Sequence, residues 1–269
     1  MKKAIILILV FGLNTNLYSQ TAESFFKKGV EKEELKDYLG AIKDYNKAIE
    51  INPKVEEFYS NRGTAKEKLK YFSGAIADYN KAIEINPKDA DVYFNRGIAK
   101  SKSGNNLDEI ADYNKAIEIN PKHADAYFNR GITKDELGDF QGALADYNRA
   151  IEINPKDADV YYNRGNTKKK LKDYSGAIAD YNKAIEINPN DAVAYCNRGA
   201  LKEEMEEHQG AIEDYNKAIG INPKYAKAYY NRGVTKFNIR QKNSGCLDLI
   251  KARELGYGLA DKTVKENCK

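Results

Sequence analysis

Tryptophan is absent from the 269 residues, histidine and methionine occur twice each, cysteine three times and proline six times. No CxxC, HExxH, GxSxG or phosphate-loop pattern occurs, so the sequence offers no catalytic constellation, no metal site and no cofactor site. Charge of one sign is also missing. Lys and Arg number 44 against 40 Asp and Glu, an excess of +4 that falls to +2 without Lys2 and Lys3, and the signs are interspersed rather than gathered in a basic stripe. That argues against a nucleic-acid partner, which is usually met by a concentrated positive surface. The longest apolar run is Ala4 to Leu13, and ten residues cannot cross a hydrocarbon core that needs about 20 in a helix.

That run reads instead as an address. Lys2 and Lys3 precede it, and Leu17-Tyr18-Ser19 follows as a small-residue cleavage site, so residues 1–19 are predicted to be a signal peptide. The mature chain is expected to be exported, whether periplasmic, at the cell surface or secreted, with no transmembrane segment. An oxidising compartment permits disulfides, which bears on Cys196, Cys246 and Cys268.

What the sequence does contain is one unit repeated. Asn-Arg-Gly begins at Asn61, Asn95, Asn129, Asn163, Asn197 and Asn231, always 34 residues apart, and Pro53, Pro87, Pro121, Pro155, Pro189 and Pro223 keep the same step. Two independent markers on one period exclude an ordinary globular domain and point to a stacked array. Units then run 22–55, 56–89, 90–123, 124–157, 158–191, 192–225 and 226–259, the last degenerate. Within a unit, position 4 is aromatic, position 8 is Gly, 20 mostly Ala, 24 mostly Tyr, 27 Ala and 32 Pro.

Local chemistry makes each unit a helical hairpin. Ala75 to Ile85 places apolar or aromatic residues at i, i+4, i+7 and i+8, a helical stripe. Gly63 and Ala75 remove bulk where two helices approach to about 8–10 Å. Asn86-Pro87 ends the second helix, and Asp37, Asp139 and Asp173 stand where second helices need an N-cap.

This pattern resembles the tetratricopeptide repeat family over about 238 of the 269 residues. The resemblance implies an all-α, right-handed superhelical solenoid of seven helix-turn-helix repeats. Its concave groove would be lined by positions 2, 5, 6, 9, 12 and 13 of the first helices. The family's clamp for a C-terminal carboxylate is not expected, because no unit has Lys at position 5 or Arg at position 6.

The departures are informative. Position 7, usually Leu in the family, is Arg62, Arg96, Arg130, Arg164, Arg198 and Arg232, and a partly buried guanidinium needs an acid. Position 23 supplies one in every unit, from Asp44 to Asp248, so a structural ladder of Arg 7 with Asp 23 is predicted, which Lys at position 11 could join. Unit three has Ser103, Asn106 and Glu109 where its neighbours have Leu, an aromatic and Ala, with Leu107 placed to refill the gap. It is expected to be the loosest junction. Residues 259–269 are predicted to be a capping helix and tail, since an array needs closed ends. Cys246 and Cys268 lie eleven residues either side of Tyr257, at equal distances from a turn between Gly256 and Gly258, so a disulfide is expected there, with Cys196 a lone packed thiol.

Position 6 carries the candidate binding residues, Asn61, Asn95, Asn129, Asn163, Asn197 and Asn231, whose carboxamides can both donate to and accept from a peptide backbone. Beside them Asp91, Asp125 and Asp159, with Glu57, would favour basic side chains, and Phe94, Phe128 and Tyr162 either apolar ones or packing between units. His123 in a loop and His208 at position 17 read as loop and packing residues. The expected function is a non-enzymatic scaffold that holds an extended peptide or partner protein in its groove. The alternative is a structural component that self-associates into a homo-oligomer or envelope assembly without binding peptides.

Overall fold

The computed structural model describes residues 21–104 and 108–268. The expected signal peptide, and Asn106 and Leu107 in the third repeat, lie outside the described residues. The chain divides into two compact units, Met1–Asn105 and Asn106–Lys269. The first holds α1 (Ala22–Glu34), α2 (Tyr38–Ile51), α3 (Glu56–Lys68), α4 (Phe72–Ile85) and α5 (Ala90–Lys102). The second holds α6 (Asp108–Ile119), α7 (Ala124–Glu136), α8 (Phe140–Ile153), α9 (Ala158–Lys170), α10 (Tyr174–Ile187), α11 (Ala192–Glu204), α12 (His208–Ile221), α13 (Ala226–Asn238), α14 (Lys242–Glu254) and α15 (Gly258–Asn267). No strand occurs among the described residues, and the fold is an all-α repeat solenoid.

Each hairpin is punctuated by local chemistry. Asp37, Asp139 and Asp173 accept the backbone N–H of Gly40, Gly142 and Gly176, which caps α2, α8 and α10. Second helices end on Asn52, Asn86, Asn120, Asn154, Asn188 and Asn222, whose side-chain oxygens accept the N–H two residues on, past the proline, in an Asx turn. Between paired helices the chain passes through the left-handed region at position 15. Gly104 and Gly138 take it freely, whereas Lys36, Lys70, Lys172, Glu206 and Arg240 adopt a φ of 62–63° with a side chain attached.

The core is built on position 24. Tyr45 and Tyr79 in the first unit, and Tyr113, Tyr147, Tyr181 and Tyr215 in the second, are the largest fully buried side chains, with Leu249 in the last hairpin. The rings of Tyr45, Tyr79, Tyr147, Tyr181 and Tyr215 lie against the position-8 glycine of the partner helix. A Cβ added at Gly63 or Gly131 would fall 2.7 Å from Tyr79 or Tyr147, so no other residue fits without separating the helices. Burial raises the hydroxyl pKa of Tyr45, Tyr79, Tyr147, Tyr181 and Tyr215, which stay neutral throughout the useful pH range.

The two ends differ. The last hairpin packs against α15, and Cys246 on α14 is joined to Cys268, with Cα atoms 5.5 Å apart, while Cys196 is free and buried. At the other end α1 leaves Phe26 and Val30 half-buried beside an open cleft.

Two of the third repeat's three departures, Ser103 and Glu109, fall on described residues, and they differ. Ser103 costs little, since the leucines at its position are largely exposed, Leu35 by 80% and Leu137 by 51%, with Leu69 half-buried. Glu109 is different. It is 1% exposed in an alanine site, with Oε1 accepting a hydrogen bond from Thr133 and Oε2 without a partner.

Candidate peptide-binding face

First helices carry two adjacent rows, Arg at position 7 and Asn at position 6, which the fold treats differently. The arginines form a seam with the second helices. Arg62 donates from Nε and Nη2 to the two oxygens of Asp78, at 2.9 and 2.5 Å, and Lys66 adds a third cation contact at 2.7 Å. Its Nη1 donates to Asn46 of the preceding repeat at 2.7 Å, and its plane lies over Tyr59, 5.5 Å from the ring centre. The same set recurs at Arg130–Asp146, Arg164–Asp180, Arg198–Asp214 and Arg232–Asp248, with Lys134, Lys168, Lys202 and Lys236 as second cations. A carboxylate this deeply buried needs such saturation to be tolerated. The first repeat has Lys28 in place of arginine, and Lys32 alone pairs with Asp44 at 2.5 Å. The predicted ladder is therefore present, and lysine does join it. Sequence reading missed the asparagine at position 25, which ties each guanidinium to the copy before. Its signal was there, in Asn46, Asn80, Asn114, Asn148, Asn182 and Asn216 at the same step of 34.

The asparagines of position 6 are all half-buried, neither sealed nor free in solvent. In Asn61, Asn129 and Asn163 the side-chain N–H donates at 2.8 Å to the carbonyl four residues back, of Glu57, Asp125 and Asp159. A carbonyl accepts only from a donor, so this contact turns Nδ2 inward and leaves Oδ1 and one amide hydrogen available. Further along, the row changes. Asn197 donates to the Tyr162 hydroxyl and receives Lys227 at 3.4 Å, and Asn231 donates to Cys196 Sγ at 3.7 Å.

Glu57, Asp91, Asp125 and Asp159 lie exposed in the first turns of α3, α5, α7 and α9. The position-5 aromatics are half-buried and turned partly to packing. Phe128 meets Tyr147 and Tyr162 meets Tyr181, each at 6.0 Å between ring centres, while Tyr230 is covered by Tyr257 at 4.8 Å. Phe94 is likewise half-buried. His123 caps α7 by accepting the N–H of Ala126, and His208 sits 2.9 Å from Glu203. Burial alone would lift the Glu203 carboxyl, but hydrogen bonds from His208 and Asn238 outweigh it and hold it below its usual value. No cluster of three or more metal-ligating side chains occurs among the described residues.

Glu56 is a second intruder at an alanine site, position 1 of its repeat. It is 7% exposed with Oε1 unpartnered, and burial, with Asp89 and Glu57 nearby, pushes its carboxyl up to about 7.

Patterns described as tetratricopeptide repeat match residues 90–123, 112–145, 158–191 and 180–213, and a pattern described as TPR repeat matches 34–70, 71–104, 136–172 and 204–239. The chain belongs to the tetratricopeptide repeat family. Its backbone is similar to that of a tetratricopeptide repeat protein from Parabacteroides merdae, with a TM-score of 0.67 and 23% identity, covering 93% of this chain and all of that one. The C-terminal part of a TPR repeat-containing protein from Cytophaga hutchinsonii gives 0.75 at 19% identity, covering 91% and 99%. YrrB, described as a TPR protein with an unusual peptide-binding site, gives 0.60 at 26% identity, covering 70% and 97%. No curated protein sequence matches the chain.

Proposed function

We propose that this tetratricopeptide repeat protein is a non-enzymatic scaffold that binds an extended segment of a partner protein along its asparagine-bearing first helices. The observation that carries the reading is the common posture of Asn61, Asn129 and Asn163. Each is held by its own helix, half-buried, with Oδ1 unpartnered. A pre-oriented acceptor costs little ordering entropy when a peptide N–H arrives, and a row of them suits backbone recognition with little regard to sequence. The exposed acids beside the row favour lysine or arginine in the bound segment. A peptide-binding site in YrrB, by its description, supports the same use of the fold.

Export is part of the reading. The basic start, ten-residue apolar run and small-residue site of residues 1–19 form an address, and the Cys246–Cys268 bond is the kind that persists in an oxidising compartment.

The test is fluorescence anisotropy with a labelled basic peptide, four Lys-Leu-Ser triplets, against the mature protein. We expect 1:1 binding, weakened about tenfold in an Asn129→Ala, Asn163→Ala double variant, the loss of roughly 1.4 kcal/mol. Equal binding by the double variant, or protein self-association in place of peptide binding, would overturn the reading and favour a structural role.

A further inference from the structure

One repeat lacks an acid that its neighbours carry. Position 26 of a repeat is Lys or Arg and position 29 is Glu, and the two close on one face of the second helix. Lys81 meets Glu84 at 2.6 Å, Lys115 meets Glu118, Arg149 meets Glu152 and Lys183 meets Glu186 at 2.7 Å, and Lys251 meets Glu254 at 3.1 Å. In α12 the cation remains as Lys217, but the acid is replaced by Gly220.

Neither packing nor backbone asks for glycine there. A Cβ built on Gly220 meets no atom within 4 Å, and its φ is not in the left-handed region. Glycine in the last turn of α12 gives up the helix propensity of glutamate and gains no packing in return. Lys217 is exposed, and no described residue pairs with it. The vacated place opens into a cleft of about 900 Å³ between α11 and α12, with Tyr195 and Ile221 as apolar wall and Arg198, Lys202 and Lys217 as cations. Against Asp214 and Glu213 the three cations leave the lining one positive charge in excess, and Lys217 is the cation that no acid holds in an ion pair. Glu213 on the rim disfavours a run of acids and leaves room for one.

We propose that this notch receives the carboxylate of a single Asp or Glu side chain from a partner protein, flanked by apolar residues that lie on Tyr195 and Ile221. The partner's acid stands where the other repeats supply their own, and its pairing with Lys217 sets register and specificity more than raw affinity. The proposal rests on the scaffold reading only in taking a protein as partner. Asn197 does not line the notch, and the expected ligands of the two surfaces carry opposite charge.

The experiment is an amide NMR titration of the mature protein with acetyl-Ser-Leu-Glu-Leu-Ser-amide and with its Gln counterpart. Saturable shifts are expected at Tyr195, Lys217, Gly220 and Ile221, at least fivefold weaker with the Gln peptide, and lost in Gly220→Glu, which rebuilds the arrangement of the other repeats and so keeps the fold. Lys217→Arg should retain binding and Lys217→Ala should weaken it to the level of the Gln peptide. No saturation up to about 10 mM, tenfold beyond millimolar affinity, equal response to the Gln peptide, or undiminished binding by Gly220→Glu would each overturn the proposal. The basic peptide of the groove test should bind Gly220→Glu unchanged, so failure of one site is distinguishable from failure of the other.

Discussion

The guanidinium seam and the asparagine row occupy neighbouring positions of the same helices, yet one is bonded alike in each repeat where its partners are described and the other is not. Arg62, Arg130, Arg164, Arg198 and Arg232 each hold an aspartate 16 residues on by two contacts and an asparagine 16 residues back by one. The row's amides turn to their own helix at Asn61, Asn129 and Asn163, but to the preceding repeat at Asn197 and Asn231. Burial explains the difference. A buried ion must be fully satisfied, so its partners are copied with it, whereas a half-exposed amide can take whichever neighbour is near and still meet water or a ligand.

The sharpest way to break the contrast is to remove one aspartate. Asp180→Ala strands Arg164 and Lys168, which both lean on it, and should cost about 3–5 kcal/mol because it leaves uncompensated charge at a buried site. Urea denaturation followed by circular dichroism measures this, and a loss under about 1 kcal/mol would show that the seam is decoration.

Beyond the last seam contact, Arg232 with Asp248, a covalent closure ties α14 to the end of α15. The Cys246–Cys268 bond closes a separation of 22 residues and should contribute about 3 kcal/mol in the chain-entropy model. A Cys246→Ser, Cys268→Ser variant is expected to lose amide-exchange protection over α15 and α14 first, with α8 to α10 little changed, since stability in an array is carried by nearest neighbours. Labelling of three free thiols in the unreduced mature protein would contradict the bond itself.

Most of the fold was legible because a period of 34 residues writes the same solution several times, and Gly at 8, Tyr at 24 and Asn-Pro at the end each has one physical use. The seam was legible for a related reason, as a buried arginine obliges an acid and only position 23 supplied one throughout. The row was legible as a place but not as a posture, because nothing in a sequence says whether an amide turns to its own helix or to a neighbour. Glu56 and Gly220 went unread although the signal was printed, as single departures from alanine and glutamate columns. Glu109 was seen, but only as one departure beside Ser103, with nothing to separate a buried site from an exposed one.

Glu56 offers a pH handle on the interior. Its folded carboxyl titrates at about 7, above the usual carboxylate range of the unfolded chain, so the native state favours the proton. The stability this gives is complete below about pH 4.5 and is lost as pH rises through 7, by roughly 3 kcal/mol. Glu56→Ala, which restores the residue of the other repeats, should flatten that slope and be the more stable protein at pH 8. Parallel melting curves for the two proteins from pH 4 to 8 would show that the carboxyl is not coupled to folding.

The smallest effect is the most telling for the comparison. Asn163→Ala removes a side chain whose described bond is to its own helix, and alanine is the better helix former, so stability should move by no more than about 0.5 kcal/mol in either direction. If the same substitution weakens the basic peptide, the residue is held in place for its ligand and not for the fold, which is the opposite of Arg164 one position along. If instead it destabilises the protein by more than about 1 kcal/mol, the row belongs with the seam, and its regular spacing records only how the repeats were made.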